Sequence, residues 1–328
     1  MSIGVGVIGA GVMGAEHARI LREATRGAHL AAVADADPAR ASAAAADGTR
    51  VFDRAADLIA DPEVQAVMVV APDALHAELV RACLAAGKPV LCEKPLAATA
   101  AESLALVKAE VILGRRMIQV GYMRRFDPGY LAMKAALKTG EIGPAVLLHN
   151  THRNASAPEW FVGAMPITNS FVHEADISRW LLDAEMTEAT LHPGPGGDPL
   201  LITMRAATGV LVSTEIFMNC AYGYHVEAEM VGQMGTLTLA QPNPLVVNRQ
   251  GNRSQSYPDN WVPRFASAYV AQTNAWVTSL KTGLPCGASA WDGYVATALA
   301  EQLAKGLGSS TPVTFTFPAR PALYEDVA

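Results

Sequence analysis

A glycine turn directly behind an apolar segment near the N-terminus limits the possible folds of this chain more than any other feature. Residues 3–8 (IGVGVI) predict a short buried strand, and residues 9–14 read GAGVMG. Residues 12–22 then repeat apolar side chains at helical spacing. A strand, a glycine turn and a helix in this order are typical of the first unit of a doubly wound parallel sheet.

The alternation of short apolar segments and helices continues as far as residue 121. Further strands are predicted at 30–34, 67–70, 89–92 and 118–121, and helices at 38–46, 74–86 and 101–113. Consecutive parallel strands need right-handed crossovers between them, which this order of elements supplies. We therefore predict an α/β domain over residues 1–121.

The second part of the chain follows a different pattern. Strands are predicted at 146–152, 200–204, 210–217 and 225–231, with helices at about 170–182, 266–280 and 291–305. A series of strands with few helices among them predicts a mainly antiparallel sheet in an α+β domain. We assign residues 122–328 to this second domain, whose C-terminal helices are able to pack back on the first.

Length and charge restrict the class of protein. The chain has 328 residues, more than one hydrophobic core usually serves, which agrees with two domains. Its formal net charge is -6 without long runs of like charge, so we expect neither nucleic acid nor a membrane as a partner. No segment is apolar for the length of a membrane span, and no export signal is recognisable, which predicts a cytoplasmic protein.

The cysteines give no sign of a metal site or a disulfide framework. The four are scattered, at positions 83, 92, 220 and 286. They form no Cys-x-x-Cys pair and have no spacing to histidine that suits zinc. We therefore predict buried thiols in a reducing compartment and no bound metal.

The glycine turn has the G-x-G-x-x-G pattern of a dinucleotide-binding site. Gly9 allows the tight turn, Gly11 lets the backbone approach a pyrophosphate, and Gly14 permits close packing of the helix. Asp35 ends the second predicted strand, where a carboxylate accepts hydrogen bonds from the ribose hydroxyls and repels the 2′-phosphate of NADP. We therefore predict NAD as the cofactor, held by Gly9, Gly11, Val12, Met13, Gly14 and Asp35.

Further cofactor contacts are expected where later strands reach the same edge of the sheet. Pro72, Asp73 and His76 follow the strand at 67–70, and Glu93 and Lys94 follow the strand at 89–92. Open α/β sheets bind ligands at the carboxyl ends of their strands, so these residues can line the cofactor cleft. For His76, a role in helix capping or packing is an equally good interpretation.

Lys94 and His173 are the predicted catalytic residues. Lys94 lies in the segment 90–95 (VLCEKP), just after a short apolar strand. His173 lies on the predicted helix at 170–182, and Asn169 precedes it by four residues, so the two share one helix face. Oxidation of an alcohol by a nicotinamide needs a group that takes the hydroxyl proton and a group that polarises the oxygen, and histidine and lysine supply both.

These motifs together resemble the Gfo/Idh/MocA oxidoreductases, and the resemblance covers nearly the whole chain. It rests on the glycine turn, residues 72–76, the segment Glu93-Lys94-Pro95 and the helix of His173. Within the family, several segments look like those of inositol 2-dehydrogenases: residues 121–130 (GYMRRFDPGY), 152–154 (HRN), 171–176 (FVHEAD), 222–224 (YGY) and 289–294 (SAWDGY).

The resemblance implies NAD-dependent oxidation of a ring hydroxyl of myo-inositol or a related cyclitol to a ketone. It implies that Lys94 contacts the reacting hydroxyl, that His173 exchanges its proton and that Asn169 orients the substrate. The polyol pocket would also contain Arg124, His152, Ser170 and a tyrosine at Tyr222 or Tyr224. The resemblance further implies a Rossmann domain joined to an open-faced sheet domain, with subunits assembled through those sheets into a homotetramer.

One position departs from the family pattern. Relatives usually carry Asp where this chain has Asn169, which has the same shape but no negative charge. A nearby negative charge favours the protonated forms of lysine and histidine, so its loss alters proton transfer where these groups lie close together. Three interpretations stay open: altered substrate choice, weaker turnover, or a substitution made to trap a substrate.

Two other functions are compatible with the sequence. The substrate can be a pyranose, an amino sugar or an aminocyclitol, because the same polar side chains suit these molecules. Alternatively, the chain is a catalytically weakened NAD-binding protein, for which Asn169 is the supporting feature. The presence of Lys94 and His173 favours an enzyme over this last interpretation.

Overall fold

The structure is a computed structural model that describes residues 2–240, 245–309 and 311–325. The strands are β1 (Ile3–Ile8), β2 (Ala28–Ala34), β3 (Arg50–Phe52), β4 (Ala66–Val69), β5 (Val90–Cys92), β6 (Ile118–Val120), β7 (Ala145–Arg153), β8 (Met186–Pro193), β9 (Leu200–Ala206), β10 (Leu211–Phe217), β11 (His225–Gly232), β12 (Thr236–Thr238), β13 (Val247–Arg249), β14 (Asn252–Ser254), β15 (Ala288–Ser289) and β16 (Val313–Thr314). The α-helices are α1 (Val12–Glu23), α2 (Pro38–Ala44), α3 (Ala55–Ala60), α4 (Asp73–Ala85), α5 (Ala100–Leu113), α6 (Pro128–Thr139), α7 (Val172–Leu182), α8 (Trp261–Arg264), α9 (Ala266–Thr282) and α10 (Ala290–Ala304).

The chain forms two compact units. Unit 1 contains the described residues up to 126, those of 267–298 and those from 318 onward, and unit 2 contains those of 127–266 and 299–317. The sequence placed the boundary after residue 121 and left open a return of the C-terminal helices to the first domain. In the folded chain the boundary lies after Phe126, and two later segments belong to unit 1.

Unit 1 is the predicted doubly wound α/β domain. Its sheet has the order β15-β6-β5-β4-β1-β2-β3, in which β1 to β6 run parallel and β15 runs antiparallel to β6. The strand order reverses at β1, between β2 and β4, and ligands of such sheets bind at this switch point. The glycine turn follows β1 directly and therefore lies at the expected place.

The core of unit 1 depends on a helix from the C-terminal third of the chain. Trp276 and Val277 of α9 pack in one cluster with Val5, Met68 and Leu91 of the parallel sheet. Trp276 is 2% exposed, and burial of an aromatic side chain of this size contributes about 4–6 kcal/mol. The first 126 residues alone would leave this face of the sheet uncovered.

Unit 2 is the predicted α+β domain with a mainly antiparallel sheet. The strand order is β12-β11-β7-β10-β9-β8-β16, and the pair β7–β10 is parallel. Residues directly opposite each other on neighbouring strands lie on the same face. On the inner face His152 lies opposite Val226, and on the other face Arg153 lies opposite His225.

Several elements escaped the sequence analysis. The short strand β3, the short helix α3 and the strand β8 were not predicted. The helix predicted from about residue 170 consists of two elements, a π-helix at Pro166–Phe171 and α7 from Val172. Single-turn π-helical segments are rare and are found mostly at functional sites.

The sequence predicts neither a membrane span nor a metal site. No described helix has the length and apolar character of a membrane span, and no cluster of potential metal ligands occurs among the described residues. The cysteines are free, but Cys220 and Cys286 are only partly buried, which corrects the expectation that all four thiols are buried. Burial raises the pKa of the Cys83 thiol to about 12, so this thiol is unreactive.

Candidate active site

The glycine turn between β1 and α1 has the geometry of a pyrophosphate cradle. Gly9 has a φ of +94°, and a Cβ added there would lie 2.5 Å from the carbonyl oxygen of Val70. A Cβ at Gly14 would collide with the carbonyl oxygen of Gly9, whereas no described atom lies within 4 Å of a Cβ built on Gly11. The turn is thus closed toward the protein and open at Gly11, as close approach of a phosphate requires.

The beginning of α1 has no side-chain cap. Gly11 is the N-cap residue and provides no side-chain cap for the helix. Val12 follows with 71% exposure, and Met13 is partly buried. Uncapped amides at a helix N-terminus attract anions, so these residues fit the phosphates of a dinucleotide.

Asp35 lies next to the turn at the end of β2. Its Oδ2 accepts a hydrogen bond of 2.6 Å from the Ala10 amide, and its Oδ1 accepts one of 2.8 Å from the Asp37 amide. A carboxylate has four acceptor sites, so Asp35 has capacity left for the two ribose hydroxyls of NAD. Arg40, which follows Asp35 by five residues, forms an ion pair of 3.0 Å with Asp37 on the surface.

The segment after β4 begins α4. Pro72 is its N-cap residue, and Asp73 occupies its first turn. His76 is 1% exposed, and its two ring nitrogens lie 2.7 Å from the carbonyl oxygen of Pro95 and 2.8 Å from that of Ala71. These contacts favour the packing interpretation for His76, because the ring joins two loops at the edge of the sheet.

Glu93 is buried directly after β5 and is held from two sides. Its Oε1 accepts a hydrogen bond of 2.9 Å from Nε2 of His17, and its Oε2 accepts one of 3.2 Å from the Lys94 amide. Burial raises the pKa of Glu93, but the hydrogen bond and charge of His17 and the charge of Lys94 bring the pKa below its ordinary value. Glu93 is therefore an anion that holds the backbone amide of Lys94.

Lys94 is the exception in a buried segment. Of residues 90–97, Lys94 alone is not buried. The peptide bond to Pro95 is cis. The fold thus presents one ammonium group at the carboxyl end of β5, where the sequence predicted it.

A similar exception occurs on α7 in unit 2. Of residues 170–179, only His173 is not buried. Asn169 is partly buried in the π-helical turn before α7, so it lies on a different helix type from His173. Ser170 is buried, and its hydroxyl lies 3.4 Å from the sulfur of Met218, which turns it toward the protein interior.

His152 on β7 connects His173 to two further residues. The ring centroids of His152 and His173 are 6.3 Å apart, and those of His152 and Tyr224 are 6.0 Å apart at nearly right angles. Nδ1 of His152 lies 3.0 Å and 3.1 Å from the two carboxylate oxygens of Glu174. We call His152, His173 and Tyr224 the histidine cluster.

Polar contacts fix the register between α7 and the sheet. Glu174 contacts His152, and one turn later Ser178 accepts a hydrogen bond of 3.1 Å from Asn150. The helical step of four residues thus matches the step of two residues along the same face of β7. The side chain of Asn150 also reaches Thr214 of β10 at 3.3 Å.

One predicted pocket residue, Tyr222, lies on the other face of the sheet, and another, Arg124, belongs to unit 1. Tyr222 accepts a hydrogen bond of 2.9 Å from Arg153 and lies 2.6 Å from Nδ1 of His225, on the side of the sheet away from His152. Its side chain therefore does not join the histidine cluster, whereas Tyr224 does. Arg124 is 2% exposed in a short 3-10 helix at Met123–Phe126, which belongs to unit 1.

The sequence analysis missed the roles of His17 and Glu174. Both are fully buried ionisable residues on helices. His17 follows the glycine turn by one helical turn, and Glu174 directly follows His173 in the chain. A charged residue inside an otherwise apolar helix face was the available signal, because such a residue needs a partner.

The whole chain is similar to known oxidoreductases. Residues 3–122 match the family described as oxidoreductase family, NAD-binding Rossmann fold, and residues 130–238 match the GFO/IDH/MocA C-terminal domain. The chain is 48% identical over 335 residues to inositol 2-dehydrogenase 1 of Saccharopolyspora erythraea, with 99% of each chain covered. It is 44% identical over 336 residues to inositol 2-dehydrogenase of Acidothermus cellulolyticus, with 99% of this chain and 98% of the relative covered.

A solved structure agrees over the same length. The myo-inositol dehydrogenase of Lactobacillus casei, in complex with NAD(H) and myo-inositol, matches with a TM-score of 0.94 and 31% sequence identity. The match covers 99% of this chain and 100% of that one. The two-unit architecture is therefore that of a known dehydrogenase.

Proposed function

Because the chain belongs to the Gfo/Idh/MocA family of NAD-binding oxidoreductases, we propose that it uses NAD to oxidise a ring hydroxyl of myo-inositol or a close cyclitol to a ketone. The observation that carries this proposal is the histidine cluster. Its part-exposed His173 stands out from a buried helix, His152 lies beside it, and Tyr224 lies beside His152, so groups that bind hydroxyls are brought together.

The chemical step separates a hydride and a proton from one carbinol group. The C–H bond breaks with its electron pair, the O–H bond breaks with its proton going to His173, and the carbon–oxygen bond becomes a carbonyl. Bound NAD supplies the acceptor for the hydride. His173 is the general base, and the positive charge of Lys94 stabilises the oxygen while negative charge develops on it.

Asn169 has a different task from that of the usual aspartate. Its amide both donates and accepts hydrogen bonds, so it orients a substrate hydroxyl without charge. On this proposal the chain works without a carboxylate at position 169. Ser170 is left as a weaker candidate for substrate contact because its hydroxyl faces Met218.

Substrates other than a simple cyclitol are the first alternative. A pyranose, an amino sugar or an aminocyclitol presents the same secondary hydroxyls, and Asn169 is the feature that favours a changed substrate. The remaining alternative is a catalytically silent NAD-binding protein. Tight NADH binding without turnover of any polyol would support it.

The deciding experiment measures NADH formation from NAD and myo-inositol, with this chain and its Asn169→Asp variant in parallel. Turnover by the unchanged chain supports the proposal and shows that a carboxylate at 169 is dispensable. Turnover by Asn169→Asp alone marks Asn169 as a disabling substitution. If neither turns over myo-inositol, a panel of scyllo-inositol, aminocyclitols and pyranoses decides between the remaining substrates and the silent binding protein.

We also propose a homotetramer assembled through the sheets of unit 2. The outer sheet face, the side opposite His152, carries an aligned apolar row in which Leu147 lies between Leu211 and Val231. Leu211 is 45% exposed, and an apolar row on an open sheet face is suited to contact with a second copy. Light scattering should give the mass of four chains, and Leu211→Arg should reduce it.

The cytoplasmic location stays a prediction from the sequence.

A further inference from the structure

A fully buried carboxylate lies beside the histidine cluster. Glu174 is 0% exposed, and His152, whose Nδ1 lies 3.0 Å from its Oε1, is 4% exposed. Burial of a carboxylate is costly unless hydrogen bonds compensate it. A group retained at this cost, directly after the proposed general base, calls for a chemical reason.

With Glu174 ionised, its contact with Nδ1 fixes the tautomer of His152. A carboxylate anion only accepts hydrogen bonds, so Nδ1 of His152 carries the proton that Glu174 accepts. In the neutral ring the second nitrogen, Nε2, is then the acceptor. A carboxylate in this position fixes both the ring orientation and the tautomer, and it stabilises the imidazolium whenever the ring takes up a proton.

We propose that Glu174 is a positioning residue, which holds His152 as a hydrogen-bond acceptor for the substrate and supplies the negative charge that Asn169 does not. This inference rests on the proposed function, since it concerns the same polyol site. His152 binds the hydroxyl, and Glu174 acts through His152. The negative charge near the histidine cluster thus comes from the buried Glu174 on α7, and not from position 169 in the π-helical turn.

The arrangement of α7 on the sheet supports this assignment. Glu174 lies between His173, its neighbour in sequence, and His152, its partner in space. The neighbouring contact of Ser178 with Asn150 fixes the helix on β7, so Glu174 has little freedom to turn away. A change at Glu174 is therefore transmitted to the histidine cluster rather than absorbed by rearrangement.

The same unit contains a second histidine–glutamate pair that serves as a control. Nε2 of His225 lies 2.9 Å from Oε2 of Glu227, on the sheet face opposite to His152. The pair has the same chemistry, but its side chains face away from His152. Glu227→Gln should therefore leave turnover unchanged, although its side chain is more exposed than that of Glu174.

The kinetic experiment compares the full chain with Glu174→Gln, Glu227→Gln and the double variant Glu174→Gln/Asn169→Asp. Glu174→Gln keeps the shape but removes the charge, and we expect kcat/KM for the cyclitol to fall about 10- to 100-fold while NADH binding is unchanged. Addition of Asn169→Asp to this variant should restore part of the loss. Loss without restoration overturns the compensation of charge, and full activity of Glu174→Gln overturns the whole inference.

A second measurement does not depend on turnover. In chain labelled with ¹⁵N-histidine, the His152 resonances, assigned with a His152→Asn variant, report which ring nitrogen carries the proton. We expect the Nδ1–H form in the unchanged chain and a changed protonation pattern in Glu174→Gln, with the Glu227→Gln spectrum unaltered at His152. If His152 is insensitive to Glu174→Gln, the inference is wrong. If the unchanged chain turns over no cyclitol while His152 responds, the proposed function fails and the positioning role stands.

Discussion

Nε2 of His17 lies 2.9 Å from Oε1 of Glu93 in the interior of unit 1. The histidine is 0% exposed, and its ring stands nearly perpendicular to that of Tyr269 with a centroid distance of 5.8 Å. Because the other carboxylate oxygen of Glu93 accepts the Lys94 amide, the pair fixes the backbone from which the proposed catalytic lysine projects.

We expect His17→Leu to lower kcat more than His17→Gln. Leucine leaves Glu93 without its side-chain donor at a cost of about 1–3 kcal/mol, whereas the glutamine amide can still donate. Part of this cost appears as a displaced Lys94, so kcat with a cyclitol should fall about 10-fold in His17→Leu. Steady-state kinetics and thermal unfolding of both variants are the measurements. Equal kcat values in the two variants would show that the His17 hydrogen bond does not position Lys94.

Lys94→Met should abolish most turnover without loss of cofactor binding. Methionine keeps most of the length of the side chain but removes the charge that stabilises the developing oxyanion, which is worth about 100- to 1000-fold in kcat. NADH binding, followed by nicotinamide fluorescence, should remain within about 2-fold, because the cradle consists of the glycine turn and Asp35. Lys108→Met on the exposed side of α5 is the matched control. Unchanged turnover in Lys94→Met would refute the proposed mechanism.

Asp35 should determine the preference for NAD over NADP. Asp35→Ala removes both the ribose acceptor and the hydrogen bond from Ala10, and we expect kcat/KM for NAD to fall about 10- to 100-fold. Asp35→Asn keeps an acceptor for Ala10 but loses the charge that repels a 2′-phosphate, so chiefly the ratio of NAD to NADP use should fall. Asp37→Asn, two residues away, should leave this ratio unchanged. A constant ratio in both Asp35 variants would locate cofactor discrimination elsewhere.

Glu110 should make the stability of unit 1 depend on pH. Burial is the main cause that raises the pKa of Glu110 above 4.5, although hydrogen bonds from Tyr324 and from the amides of Met117 and Ile118 oppose it. The folded chain thus binds this proton more tightly than the unfolded chain. The contribution to the free energy of unfolding is fully present below the unfolded pKa and is lost as pH rises through the folded pKa.

Glu110→Gln tests this sign. The amide cannot ionise, so the variant should gain stability relative to the unchanged chain between about pH 5 and about pH 8. Chemical denaturation at both values gives the two differences. Glu78→Gln, which changes an exposed carboxylate on α4, should show no such trend. A difference that shrinks toward high pH would contradict the raised pKa.

Local pattern was sufficient to predict much of the fold. β1, the glycine turn and α1 were predicted within one residue of their observed ends, because apolar spacing and the glycine pattern are properties of neighbouring residues. The two sheets and their classes were confirmed for the same reason. β3 and α3 were missed since three to six residues carry too little periodicity.

The site was predictable in its residue types but not in its pairings. The sequence predicts Lys94 and His173 as catalytic residues because each belongs to a recognisable motif. The contact of Glu174 with His152 spans 22 residues and depends on the register of α7 on β7. The separation of Tyr222 from Tyr224 depends on which face of the sheet each side chain takes. Neither relationship is encoded in the spacing of residues along the chain.

The last described residues of the chain have a consequence for its synthesis. The hydroxyl of Tyr324 donates a hydrogen bond of 2.6 Å to Glu110, across 214 residues. At about 5–20 residues per second, a ribosome needs about 10–40 seconds to pass from one to the other. During that interval the nascent unit 1 also lacks Trp276 and the edge strand β15, so its sheet emerges with an uncovered apolar face. Chaperones that act during translation should therefore bind this chain for as long as unit 2 is being made, and release it when α9 arrives.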